Sequence, residues 1–193
     1  MFQHLEPFDG WLLLYSHDKD PYSPFHEVEH SLFEYNRHIY TFEAHPLWDT
    51  IESESLLVKI LYAQYDDGYA ILELLGEWND LHDNDFRLLW ENCLHPLVVS
   101  GISRFILICE NVFHIYPDAD DYYQQATEAL EDDEGWICLL RARPHVLQEM
   151  ETYGIGQYLF YSPHLEALRW RKLKPWEVYT QVRDQLEGRL LRA

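Results

Sequence analysis

No stretch of this chain approaches the roughly 20 apolar residues that a membrane-crossing helix needs, so no membrane span is expected. The opening residues, Met1-Phe-Gln-His-Leu-Glu-Pro7, lack a basic region followed by an apolar one, and no signal peptide is expected. Basic side chains are scarce: 14 Lys and Arg stand against 34 Asp and Glu, a formal charge of −20. Nucleic acid and anionic bilayers are held by Lys and Arg that neutralise phosphates, so neither is an expected partner. The charge suits solubility and basic proteins or cations. Only three cysteines occur, Cys93, Cys109 and Cys138, each inside an apolar segment. An odd number of cysteines in such positions reads as reduced, buried thiols of a cytoplasmic protein.

Catalytic signatures are also missing. The chain has no G-x-S-x-G, no G-x-G-x-x-G and no G-x-x-x-x-G-K, and no cysteine lies beside a plausible base. Gly154-Ile-Gly156 falls between a helix end and a strand, the reverse of a phosphate loop. Asp118-Ala-Asp-Asp121 and Glu131-Asp-Asp-Glu134 lack the spacing of a calcium loop. The first reads as a helix start and the second as a solvated turn. There is no Gly/Ser-rich linker before residue 55, no repeat and no low-complexity segment.

What the chain has is apolar and aromatic matter, 47% and 16% of its residues. That is enough for one domain with a full core, and it also suits an oligomer interface, so a homodimer is compatible with it. Residues 57–112 form the centre. Leu56–Tyr65 and Tyr69–Leu75 are rich in β-branched and aromatic residues, and Asp66-Asp67-Gly68 between them is a hairpin signal. Gly76–Asp80 breaks the pattern. Phe86, Leu89, Trp90, Cys93, Leu94, Leu97 and Val98 then recur at helical spacing up to Gly101. Arg104–Cys109 is an apolar run typical of a strand covered on both faces. The alternation continues with a helix over 120–130, a strand at Trp136–Leu140 parallel to 104–109, a helix from Pro144 to Tyr153 and a strand over Ile155–Tyr161. Before the centre, Trp11–Tyr15 and Arg37–Ala44 favour strands and Pro46–Ile51 a helical turn. Phe25, Val28, Leu32 and Tyr35 favour a helix over 25–36. Pro175 opens a last helix with Val178, Val182, Leu186 and Leu190 on one face.

One short motif invites a chemical reading. His26-Glu27-Val28-Glu29-His30 fits H-E-x-x-H, in which two histidines four apart on a helix bind zinc and the glutamate acts as base. A charged Glu29 inside the motif and apolar residues facing elsewhere argue against it. His26 and His30 are expected not to converge on one ion, and no metal or cofactor is expected.

Over about residues 56–162 the order hairpin, helix, strand, helix, strand, helix, strand resembles the STAS domain, the family of the bacterial anti-sigma-factor antagonists and of the cytosolic domain of sulfate transporters. The resemblance rests on Ile71-Leu-Glu-Leu-Leu-Gly76-Glu-Trp78, on Gly101-Ile-Ser-Arg-Phe-Ile-Leu-Ile108, and on Arg143-Pro144-His-Val146 through Tyr153-Gly154-Ile155. It implies an α/β fold: a STAS-like mixed sheet with flanking helices, here with an aromatic-rich N-terminal α+β elaboration. The whole chain, 1–193, is expected to be one domain, with the elaboration at 1–55, the core at 56–162 and a C-terminal loop and helix at 163–193. Members switched by phosphorylation place a Ser or Thr at the start of the helix after the central strand. That place falls near Pro117-Asp118 here, and no hydroxyl stands there.

The expectation is therefore a non-enzymatic regulatory or scaffolding module that binds another protein. Its expected surface is the exposed loop after the central strand: Glu110, Tyr116, Asp118, Asp120, Asp121 and Tyr122, with residues 113–122 substantially exposed. The alternatives are a small cytosolic enzyme with a site assembled from His82, His95, His114 and Glu110, or a metal site at His26-Glu27-His30.

Overall fold

The computed structural model describes residues 3–31, 33–118 and 121–190. A five-stranded mixed sheet, in the order β4-β5-β6-β7-β8, lies at its centre: β4 (Asp49–Thr50), β5 (Leu56–Gln64), β6 (Tyr69–Asn79), β7 (Arg104–Tyr116) and β8 (Trp136–Leu140). β5 and β6 form the expected antiparallel hairpin, with Gln64 opposite Tyr69 and Gly68 in the left-handed region. β6, β7 and β8 are parallel, and Arg104 to Ile108 of β7 pairs with Trp136 to Leu140 of β8 in register. A second sheet of three short strands, β1 (Gln3–Leu5), β3 (Phe42–Ala44) and β2 (His38–Ile39), comes from the N-terminal segment.

Side chains that alternate along the strands feed two cores. Ala70, Leu72 and Leu74 of β6 face one side, where they meet α1 (Asp85–Leu89), α2 (His95–Val99), α3 (Asp121–Glu131) and α4 (Pro144–Thr152). Tyr69 and Ile71 face the other, where they meet Trp11, Trp170 and α6 (Pro175–Leu190). Val178, Val182 and Leu186 of α6 are buried there, each worth about 1.5–3 kcal/mol of apolar transfer. The short helix α5 (Pro163–Glu166) leads into this layer. With its hairpin, crossovers and helices on both faces, the core is α/β.

Several elements differ from the sequence expectation. Gly76 does not end β6. It is a bulge at φ 128°, where an added Cβ would stand 2.0 Å from the Ser55 carbonyl, and the strand runs on to Asn79. β7 likewise continues past Cys109 to Tyr116 because β6 remains beside it as a partner. Helix 85–99 passes through a π turn at Trp90–Leu94, next to Pro96, which cannot donate to the Asn92 carbonyl. The expected strand at 155–161 is a 3₁₀ turn, Ile155–Gln157, plus a single bridge from Phe160 to Cys138. Residues 25–36 form no helix: 25–27 are a turn, Glu27 sits at φ 64°, and the following residues are irregular (Leu32 lies outside the described residues). Trp11–Tyr15 is a turn closed by bonds to Asp9 and Trp11 carbonyls. Pro46–Ile51 gives way to a turn and β4. Among the described residues no helix is long and apolar enough to cross a membrane, and all three cysteines are buried.

Candidate functional site

The parallel strands β6 and β7 end together, with Asn79 opposite Tyr116. The turn after β6 is pinned to the end of β7: the N–H groups of Asp80 and Leu81 donate to the Tyr116 carbonyl at 3.0 and 3.3 Å. Asp80 is buried beneath that turn. It accepts the Tyr123 hydroxyl at 2.5 Å and the Phe86 N–H at 2.8 Å, and burial outweighs these bonds and pushes its carboxyl up to about 6. Asp85, also buried, accepts the Asn79 N–H at 2.7 Å and the Ser55 hydroxyl at 2.8 Å, and burial raises its carboxyl as well. These inward carboxyls fix the turn, and Leu81 (55% exposed) and Tyr116 (39% exposed) both reach solvent at the joined strand ends. Asp118 and Asp121 are exposed next to them in the chain. Tyr122 is half-buried, with the Arg87 guanidinium 6.0 Å from its ring centroid.

Four of the six expected binding residues, Tyr116, Asp118, Asp121 and Tyr122, thus belong to one end of the sheet. Asp120 lies outside the described residues. Glu110 does not share that surface, because β7 carries six residues beyond it before the loop begins. The expectation that 113–122 is substantially exposed also needs correction: Phe113, Ile115 and Pro117 are buried, and over 113–118 only alternate positions reach solvent, as a continued strand requires.

Glu110 belongs to a second cluster, on the α6 face. It accepts Arg141 Nε at 2.9 Å, Trp170 Nε1 at 3.3 Å and a close bond from Arg171. Burial would raise its carboxyl, but these donors win and hold it below the usual range. Glu73 of β6 lies beside it, fully buried, accepting the Phe8 N–H at 2.8 Å with Arg171 Nη2 at 3.6 Å. Burial pushes its carboxyl up to about 7. Glu166 is also pushed up to about 7 by burial, in opposition to Arg141. A cleft of about 410 Å³ is lined by Glu110, Arg141 and residues 167–172, but by neither Glu73 nor Glu166. Sequence reading missed this cluster. Its one signal was a glutamate inside the otherwise apolar run Tyr69–Leu75.

The histidines of the alternative enzyme reading keep separate neighbours. His82 lies in the exposed turn after β6, and His95 packs on Trp90. His114 packs between Tyr116 and His145, while Glu110 is tied to its arginines. The H-E-x-x-H motif is not a zinc helix either. His26 lies 3.7 Å from its neighbour Glu27, whereas His30 donates from Nε2 to Asp49 Oδ1 at 2.7 Å. Asp49 in turn lies 3.2 Å from Lys59 Nζ and 3.6 Å from His17 Nε2, all of them buried. Burial pushes the Lys59 ammonium and the His17 imidazolium down, with Asp49 opposing both shifts.

No protein-family model matches the chain, and no curated protein matches it. The solved structures similar to it include two of one protein. One is the anti-sigma factor antagonist SpoIIAA in its unphosphorylated form, 14% identical with a TM-score of 0.46, covering 66% of this chain and 96% of that one. The other is the Bacillus cell fate determinant SpoIIAA in the phosphorylated form, 14% identical with a TM-score of 0.38, covering 57% of this chain and 95% of that one.

Proposed function

We propose that the chain is a non-enzymatic regulatory or scaffolding module that binds a basic protein partner through the joined ends of β6 and β7. The observation that carries this reading is the pairing of Leu81 and Tyr116, both exposed, held by the hydrogen bonds of one turn and flanked by Asp118 and Asp121. Apolar and aromatic side chains on a rigid support supply contact area at low entropic cost. The carboxylates around them select positive charge and speed encounter. The acidic side chain at 118, where switched STAS members carry a hydroxyl, supplies a fixed negative charge in place of a reversible one. The shifted carboxyls of the Glu110 cluster do not favour an enzyme, because Glu73 and Glu166 do not line its open cleft.

The test is photocrosslinking from position 116 in cells, with mass spectrometry of the product. The expected product joins this surface to a basic region of a second protein, and a probe at exposed Val99 does not give it. The pair Asp118→Lys with Asp121→Lys abolishes that crosslink and leaves thermal unfolding nearly unchanged. A crosslink retained in the charge-reversed variant would sink the assignment. So would a crosslink only to a second copy of this chain, which would make the surface a homodimer interface.

A further inference from the structure

Three segments far apart in the N-terminal part of the chain place ligating atoms together inside the protein. His17 sits in a 3₁₀ turn, His30 in an irregular stretch and Asp49 on β4, and one donor atom from each lies within 4.8 Å of the others. A tetrahedral zinc ion with N and O ligands at about 2.0–2.1 Å separates its ligands by about 3.4 Å. The observed spacings, 2.7 Å from His30 Nε2 to Asp49 Oδ1 and 3.6 Å from His17 Nε2 to Asp49 Oδ2, bracket that value.

The outer partners also match a metal site. His17 Nδ1 lies 3.1 Å from the Phe25 carbonyl, which only accepts, so the ring proton sits on Nδ1 and the lone pair of Nε2 points inward. Ligating histidines are oriented in this way. His30 is the least buried of the group. It also lines a cavity of about 300 Å³ whose wall includes Glu29, Glu34 and His45, with Arg37 as the one opposing cation among its lining residues.

A positive group already stands among these atoms. Lys59 Nζ is 2.6 Å from His17 Nε2 and 3.2 Å from Asp49 Oδ2. It touches the two donors much as an ion would and satisfies them in the metal-free chain.

We propose that His17, His30 and Asp49 form a site for one first-row divalent metal ion, zinc by donor type, and that the Lys59 ammonium is the resident cation the metal displaces. Two imidazole nitrogens and one carboxylate favour zinc and its neighbours over calcium or magnesium, which prefer oxygen ligands. On binding, His17 coordinates through the lone pair already presented. His30, whose Nε2–H donates to Asp49 in the metal-free chain, gives that proton up to solvent, holds its ring proton on Nδ1 and offers the Nε2 lone pair. Asp49 exchanges the ammonium for the metal as its counter-charge. This is not the H-E-x-x-H arrangement, since His26 takes no part.

Zinc and cobalt titrations of the full chain, read by calorimetry and by the visible spectrum of the cobalt form, test this. The expected result is one ion per chain with the spectrum of a four- or five-coordinate nitrogen–oxygen site. His30→Gln, at the cavity rim, loses the ion and keeps its thermal midpoint in the absence of metal, while His26→Gln binds as the parent does. Lys59→Met is the second arm. With the competing charge removed it binds zinc at least about tenfold more tightly, and zinc raises its thermal midpoint more than that of the parent. A structural cluster without metal function predicts the opposite. If neither parent nor Lys59→Met binds zinc, or if binding survives His30→Gln, or if Lys59→Met binds no more tightly than the parent, the proposal fails.

Discussion

Glu73 illustrates how one residue can set the pH response of the fold. Its carboxyl is fully buried beside Glu110, and burial lifts it from 4.5 to about 7. The folded state therefore holds a proton more tightly than the unfolded chain does. Below about pH 4.5 both states are protonated at this residue and it costs nothing. As pH rises towards 7 the folded state must either keep the proton or ionise in a dry site, and stability falls. A shift of this size corresponds to a loss on the order of 3 kcal/mol at and above neutral pH. Glu166 acts in the same direction, discounted for its partial exposure. Glu73→Gln keeps an acceptor for the Phe8 N–H without the charge. Urea unfolding across pH should show the variant close to the parent at pH 4.5 and more stable than it at pH 8. Parallel curves would mean that Arg171 fully neutralises the carboxylate. The sequence showed an acidic residue in an apolar strand here. It did not show the arginines, which arrive from 98 residues downstream (Arg171 against Glu73) and answer to no local period.

At the scale of elements, legibility followed the source of each element's stability. The hairpin, β7, β8 and the C-terminal helix carry their own pattern: a turn dipeptide, an unbroken apolar run, or an apolar stripe after proline. The N-terminal 55 residues do not. Phe25, Val28 and Tyr35 have helical spacing, yet the segment is fixed by side chains from elsewhere. Asp20 accepts the hydroxyls of both Tyr15 and Tyr65, at 2.7 and 2.6 Å, and Trp11 Nε1 donates to the Leu173 carbonyl. Such contacts override local propensity and leave no trace in periodicity. The candidate surface was partly legible for the same reason. A loop after the central strand was readable, but its start was set by how far β6 ran as a partner, and that moved Glu110 into another cluster. The stripe on α6 was readable and yields a direct prediction. Leu186→Ala should destabilise by about 2–4 kcal/mol, since it opens a cavity against the sheet. Gln185→Ala, on the exposed face, should stay within about 0.5 kcal/mol. Equal effects in urea midpoints would mean that α6 is not anchored through this stripe.

For the whole molecule the decisive quantity is a charge of −20 on 193 residues. Two salt effects oppose each other. Screening weakens ion pairs such as Arg87–Glu91 and Arg183–Asp184, which are exposed and worth about 0–1 kcal/mol each. It also relieves repulsion among the unpaired acidic residues, which outnumber the pairs. At about 0.01 M ionic strength the screening length is about 30 Å, comparable to the size of a domain, so nearly every carboxylate feels the others; at about 0.15 M it is about 8 Å and most of that repulsion is gone. The second effect is summed over many more charges and should win. The thermal midpoint is therefore expected to rise from low to physiological salt, by about 2–4 °C for each kcal/mol of repulsion relieved in a chain of this size. Sodium chloride is the right probe, because sulfate would add a separate stabilisation by exclusion from the surface. A midpoint that falls with added chloride would show that the arginine–glutamate pairs around Glu110 outweigh the surface charge. The same screening should slow capture of a basic partner, so added salt would strengthen the fold while weakening its proposed interaction, a divergence that a merely destabilised protein would not show.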